Sequence, residues 1–387
     1  MKFFRMIHRG FCLAAVLAVL VSVCVAEEAF EIADEGLDLT ETVSVHYPVV
    51  SGSTDTELLG RVNGLIREKC RVGDYLTRMA SLLSGGNLKA DWKAGVMGDV
   101  FSCAVSAEGM VDSTRSTYVW TAVSVDLRDG HEIAFGELFT DADAARETIG
   151  AYLEETVAPE LSAHLLNSEL TPVPERFLLE RSGLTLLYPV EQLSTLSDRA
   201  GDIRIGWNVL KDVLDPDEDG IPARIGAWDA AVLTAKGAEQ LRADAAEGRM
   251  TDIPVIIGDS VQEMTDRYHQ LTDWDGIGDG RLFALEGGCF RGVYLITDNL
   301  TADWKDSKVL GLRMDQGCLW GLCPGETVRT DWLDVMGEPD GSAEIGAEKA
   351  EANRLVPGAC DYYRCGDRLL QLYSDEDGTL FSIYLTE

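Results

Sequence analysis

The amino-terminal segment decides where this chain folds. Lys2, Arg5 and Arg9 make a positively charged entry, and Phe11 to Ala26 follow without a charge. That run has the length of a signal-peptide hydrophobic region and falls short of the about 20 residues that a membrane span requires. Cys24-Val25-Ala26 offers a signal peptidase its cleavage position, with Glu27 and Glu28 just beyond. Residues 1–26 therefore read as a signal peptide, and the protein as secreted or held on the outer face of the cell envelope. An uncleaved membrane anchor and lipidation at Cys24 are the alternatives. Lipidation is disfavoured by the bulk of Val23, and either would be the chain's one link to a membrane.

Export makes the cysteines disulfide candidates before metal ligands. Outside the leader stand Cys70, Cys103, Cys289, Cys318, Cys323, Cys360 and Cys365. Cys70 and Cys103 are isolated in the first half, so they pair with each other if they pair locally. The later ones are odd in number, which leaves one free or bridged to another molecule. Cys318/Cys323 and Cys360/Cys365 share a spacing, but no histidine stands near them and zinc spacing is tighter.

A formal charge of −33 repels nucleic acid and anionic lipid. It attracts basic proteins, cationic peptides or divalent cations, or else serves solubility alone. A hydrophobic share of 46% and eight tryptophans belong to folded matter, with length for two or three cores.

Along the chain, Leu39 to Val50 alternates like a strand. Thr54 and Glu57 form a capping-box pattern ahead of Leu58, Val62, Leu65 and Ile66 at helical spacing. The stripe resumes after Gly73 with Tyr75, Leu76, Met79, Leu82 and Leu83, and Gly85-Gly86 ends it. Val100 to Val105 and Tyr118 to Leu127 read as strands, and Asp129-Gly130 as a turn. A helix capped by Thr140 carries Ile149, Leu153 and Val157. Arg176 to Arg181 and Leu184 to Pro189 make a hairpin on Ser182-Gly183. Ile203, Ile205 and Trp207 form a last strand. Helices interleaved with antiparallel hairpins define an α+β fold over residues 30–215.

This order resembles the extracellular region of RsiV-type anti-sigma factors, also the amino-terminal module of PdaC-type peptidoglycan deacetylases. The residues that carry it are Tyr47-Pro48, Val123 to Leu127 with Asp129-Gly130, Gly136 to Phe139, Phe177 to Leu179, Gly183-Leu184 and Tyr188-Pro189. The resemblance covers about half the chain and implies binding at the cell surface, in the best-known case of lysozyme. With ten residues ahead of the apolar run, no sigma-binding segment is expected. No deacetylase domain is expected either.

Asp215, Asp217 and Asp219 place carboxylates at alternate positions before Gly220, the spacing of a calcium loop. The twelfth position, acidic in an EF-hand, is Gly226. A structural calcium is one reading; an acidic turn opening a 216–250 linker and helix is the other. Residues 251–387 read as a tandem repeat. Gly258-Asp259-Ser260-Val261 and Gly325-Glu326-Thr327-Val328 each open a helix, Gln262 to Leu271 and Arg329 to Met336. Strand pairs follow, Val293 to Ile296 with Val309 to Met314, and Leu369 to Tyr373 with Phe381 to Leu385. The two starts resemble those of β-lactamase-inhibitor-protein and SmpA-like repeats, which implies protein or peptide binding, across a shared sheet surface. Trp274, Trp304, Trp320 and Trp332 are either its contact residues or core.

No Walker loop, nucleophile elbow, zincin motif or dinucleotide fingerprint is present. His46, His131, His164 and His269 have no partner nearby in sequence. The expectation is a non-enzymatic binding or sensing protein without catalytic residues or cofactor. Its partner is a basic, lysozyme-like protein or a wall-derived ligand. A wall or glycan hydrolase with paired carboxylates, or a structural envelope protein, is the competing reading.

Overall fold

The computed structural model describes residues 30–82, 85–112, 117–161, 173–188, 201–268, 275–278, 280–285, 287–298, 303 and 306–387. The leader, His164, His269, Trp274 and Trp304 lie outside the described residues. Among the described residues, no helix is long and apolar enough to cross a membrane. The fold is α+β, and the described residues form three sheets.

The first sheet runs β1 (Glu31–Thr40), β2 (Val43–Ser51), β3 (Leu88–Met97), β4 (Val100–Gly109) and β5 (Thr117–Asp126), in that spatial order. Neighbours are antiparallel except β2 and β3, which pair in parallel. A parallel pair requires a crossover, and helices Thr56–Lys69 and Val72–Ser81 supply it. The first helix is capped one residue later than the sequence pattern suggests. The Asp55 carboxylate accepts from the backbone N–H of Glu57 at 3.0 Å and of Leu58 at 2.9 Å, because a carboxylate is the stronger acceptor for the positive helix end. The break between the helices falls at Arg71, which adopts a left-handed conformation at φ 56°; Gly73 is inside the second helix. Leu58, Val62, Ile66, Tyr75 and Met79 are then buried against Val45, Val105, Val123 and Val125, each apolar side chain contributing about 1.5–3 kcal/mol.

The single strand expected at Leu39 to Val50 is a hairpin, turning at Glu41-Thr42. β1 escaped notice because it is an edge strand exposed on nearly every residue, so it has no alternation to read.

A three-stranded sheet follows: β6 (Phe177–Leu179), β7 (Gly183–Leu187) and β8 (Asp202–Gly206). The hairpin forms as expected about Ser182-Gly183. Trp207 is fully buried, its indole N–H donating to the Glu180 carbonyl at 3.1 Å.

The third sheet contains β9 (Asp275–Ile277), β10 (Gly280–Phe283), β11 (Val293–Asp298), β12 (Gly311–Met314), β13 (Gly341–Ile345), β14 (Gly358–Cys365), β15 (Arg368–Asp375) and β16 (Leu380–Thr386). Its order is β13-β14-β15-β16-β12-β11-β10-β9. Helix Val261–Tyr268 precedes β9–β12, and helix Arg329–Met336 precedes β13–β16. The two units thus meet as mirror-ordered halves at one antiparallel seam, Gly311↔Thr386 to Met314↔Ile383. Their starts are held alike. The Gly258 N–H donates to the Val309 carbonyl and the Gly325 N–H to the Leu380 carbonyl, with both glycines at positive φ, 103° and 85°, where a side chain would be strained.

Residues 216–250 are more than a connection. Ile221, Ile225, Ala227, Ala230, Leu241 and Ala245 are buried in one core with Leu186 and Ile205 on one side and Leu370 and Leu385 on the other. Arg224 is anchored back to the first sheet, donating to Asp126 at 2.7 and 2.8 Å and to Asp99 at 2.7 Å.

Candidate binding cleft

Strand parity builds the site. Along β4 and β5, Cys103, Val105, Ala107, Val123 and Val125 face the two helices. The intervening residues face away from them, and the register sets them side by side: Lys89–Glu108–Tyr118, Asp91–Ser106–Trp120 and Lys93–Ala104–Ala122. The β6–β7 hairpin covers one end of this second face through Leu178 and Leu187, against Ala104, Trp120 and Ala122. The other end forms the floor of a cleft of about 580 Å³. Its opposite wall comes from the carboxyl-terminal half, with Asp266, Arg267, Tyr268 and Cys289. Tyr118 and Trp120 meet edge to face at 5.6 Å. Arg267 lies 5.2 Å above the Tyr268 ring and 3.6 Å from Asp91, reaching from wall to floor.

A second cleft of about 440 Å³ lies beyond Cys289, lined by Arg204, Asn208, Arg291, Glu326 and the Cys318–Cys323 disulfide among others. A cluster of charged groups separates the two. The Lys93 ammonium pairs with Glu180, whose other oxygen accepts from the Thr185 hydroxyl. Arg204 is 3.9 Å from Glu180 and 2.9 Å from Asp252. Asp252 accepts further from the Ser182 N–H and hydroxyl, both at 2.6 Å. Two cations thus face two carboxylates, and buried charges persist on such pairing. Burial opposes the charge on Lys93, but Glu180 and Asp252 hold it protonated above its ordinary range. Asp252 is held below its own range despite burial, by Arg204 and Lys93. Asp202, receiving the Gly288 N–H at 2.7 Å, is raised by burial. Burial also pushes the Cys289 thiol up to about 12, which leaves it protonated and a poor nucleophile at neutral pH.

The residues singled out in the sequence lie elsewhere. Asp215 and Asp217 form successive turns, the Asp215 carboxylate accepting the Asp217 N–H at 3.1 Å and the Asp217 carboxylate the Asp219 N–H at 3.0 Å. Their oxygens do not converge. Among the described residues, the one His/Cys/Asp/Glu group close enough to share an ion is Asp126, Asp129 and His131. Those residues do not fit a cation, because both Asp126 oxygens are taken by Arg224 and Arg128. His131 bridges Asp129 and Glu137 and is raised, first by its bond to Asp129. His46 is raised in the same way between Asp34 and Asp38.

Cys70 and Cys103 are buried thiols with sulfurs 3.8 Å apart, across the helix–sheet interface. Cys318 and Cys323 are bonded, closing a tight turn in which Trp320 and Gly321 take positive φ. Cys360 and Cys365 repeat that spacing on the straight strand β14, where five residues span ~16 Å and end on opposite faces; neither is bonded. Trp320 and Trp332 are core, donating to Thr251 at 2.8 Å and Asp361 at 3.1 Å. The sheet surface expected to bind a partner is crossed by the chain itself. Arg313, between the Tyr294 and Tyr384 rings, donates to the Asn353 and Arg354 carbonyls at 3.1 and 2.7 Å.

The cleft floor was not anticipated. Its signal was the charged alternation Lys89, Asp91, Lys93, which reads as loop until β3 is paired.

No family model matches the chain, and no curated protein sequence matches it. Among solved structures it is similar to a DUF3298-family member from Bacteroides fragilis, with 12% identity and TM-score 0.38, covering 49% of this chain and 94% of that one. A DUF3298-family protein from Pseudomonas aeruginosa gives 10% identity and TM-score 0.35 over 49% and 94%. A DUF4309-family protein from Bacillus subtilis gives 13% and 0.30 over 40% and 97%.

Proposed function

We propose that this is an exported binding or sensing protein of the bacterial cell envelope, acting without catalysis and recognising a basic, lysozyme-like protein. The observation that carries the reading is β1. It is a ten-residue strand at the edge of its sheet, exposed along its length, with Glu31, Asp34, Glu35 and Asp38 on it; Asp34 and Asp38 flank the single imidazole of His46 and Glu35 meets Arg67, which leaves the strand acidic. In a chain of charge −33 this acidic edge steers a cationic partner and offers it unpaired backbone groups. Two features favour binding over chemistry. The carboxylates best placed for acid–base work, Glu180 and Asp252, are committed to Lys93 and Arg204. The Cys289 thiol stays protonated.

The test is lysozyme binding to the oxidised protein at low and physiological salt, with Glu31→Lys/Asp38→Lys as comparison. Sub-micromolar affinity that survives physiological salt, with association slowed about tenfold by the charge reversal, is expected. Binding that disappears at physiological salt sinks the reading, since any acidic protein meets a basic one that way.

A further inference from the structure

We propose that the groove on the open face of β3–β5 is a binding site for an oligosaccharide bearing a carboxylate. The proposal rests on reading the chain as a binding protein, but not on the basic partner, which the β1 edge would take.

The shape comes first. Along the groove's centre, β4 presents the small side chains of Ala104 and Ser106. β5 raises Tyr118 and Trp120 on one side, and β3 raises Lys89, Asp91 and Lys93 on the other. Tyr268 and Arg267 close it from the second half of the molecule. The volume of about 580 Å³ lies in the ~300–1,000 Å³ range of small-ligand sites.

The chemistry then selects the ligand. Sugar rings have apolar C–H faces and a rim of hydroxyls that both donate and accept. Adjacent aromatic rings suit the faces, and charged groups of both signs opposite them suit the rim. A peptide fits less well. β4, at the centre of the groove, is paired on both edges, so it leaves no free edge for strand addition, and the Ala104–Ser106 floor offers no apolar pocket for a side chain. Nucleic acid, with a charge on every phosphate, is opposed by the −33 of the whole chain far more strongly than a sugar carrying one carboxylate per disaccharide. Asp91 is engaged by Arg267 and Lys93 by Glu180, whereas Lys89 is exposed beside its cross-strand neighbour Glu108 and forms no ion pair among the described residues. Lys89 is therefore the group that receives the carboxylate.

The experiment uses the full-length chain and a tetrasaccharide of alternating N-acetylglucosamine and N-acetylmuramic acid, titrated by calorimetry. Neutral chitotetraose and a basic nonapeptide are the comparators. The acidic sugar is expected to bind at least fivefold more tightly than the neutral one. Lys89→Ala should abolish that difference, and Tyr118→Ala and Trp120→Ala should each weaken both sugars at least tenfold. Should Trp120→Ala fail to fold, the exposed Lys89→Ala still decides. Preferential capture of the peptide, or sugar binding indifferent to all three substitutions, overturns the proposal. Lysozyme binding is read separately on the same samples. Its retention without sugar binding removes this proposal alone, and the converse removes only the basic partner.

Discussion

Cys70 and Cys103 show what one pair of side chains contributes. Their sulfurs face each other at 3.8 Å, both fully buried, one at the end of helix Thr56–Lys69 and one on β4. Their isolation in the sequence suggests a bond; the structure brings them together as two free, buried thiols. Burial holds the Cys103 thiol well above its ordinary range, so spontaneous oxidation in the folded state is slow and the bond is expected to form during oxidative folding. Protein folded in an oxidising compartment should then show neither residue as a free thiol by mass spectrometry. Cys70→Ala/Cys103→Ala should lower stability to denaturant by about 3–4 kcal/mol through loop-closure entropy. Under reductant the difference should shrink to the packing cost alone. An equal loss in both conditions would mean that the pair is never bonded.

At the scale of elements, legibility followed burial. The β6–β7 hairpin and helix Arg329–Met336 stand where the sequence places them: the hairpin is apolar and buried on both faces, and the helix buries Trp332 and Met336. β1 and β3 were hidden for a physical reason: β1 has no buried face, and the polar half of β3 faces a cleft. The polarity that disguised β3 is itself the mark of the site. The acidic turn at Asp215–Gly220 misled in the opposite direction, since it conceals how soon the chain re-enters the core at Ile221. The clamp there is Arg224, which ties the short helix Ile221–Arg224 to Asp126 and Asp99 at the end of the first sheet. Arg224→Ala leaves Asp126, with 1% of its side chain exposed, to the half-exposed Arg128 alone. A loss near the lower end of the about 3–5 kcal/mol for a broken buried pair follows. Burial raises the Asp126 pKa, but Arg224 and Arg128 outweigh it and hold it below the usual carboxylate range. Its contribution is therefore complete above the unfolded value of about 3.9 and is lost as pH falls through the folded one. Acid titration monitored by circular dichroism should show Arg224→Ala unfolding at higher pH than the parent. Coincident acid transitions would show that Arg128 suffices.

Across the whole molecule, the cores do not divide where the sequence suggests a boundary. One core joins the helices Thr56–Lys69 and Val72–Ser81 to the first sheet. The largest runs from Met97 and Val100 through Ile133, Ile205 and Leu241 to Leu385, across both boundaries near 215 and 250. Helix Ala235–Ala246 belongs by position to the connection, yet Leu241 and Ala245 are buried among Leu370, Leu372 and Leu385. Cutting after 250 would strip these side chains from the large sheet and expose the apolar faces of both pieces. Exposure on that scale favours association over folding. Fragment 251–387 alone is thus expected to lack the near-ultraviolet signal of Trp332, and fragment 30–250 that of Trp207, both being fully buried in this one core. Mixed during refolding, the fragments should recover both signals and unfold in a single transition. Independent, sharp transitions of the separate fragments would instead place a domain boundary at 250. The shared core would then be an interface between two self-sufficient units, and the cleft walled by Arg267 and Tyr268 would open and close with their relative position.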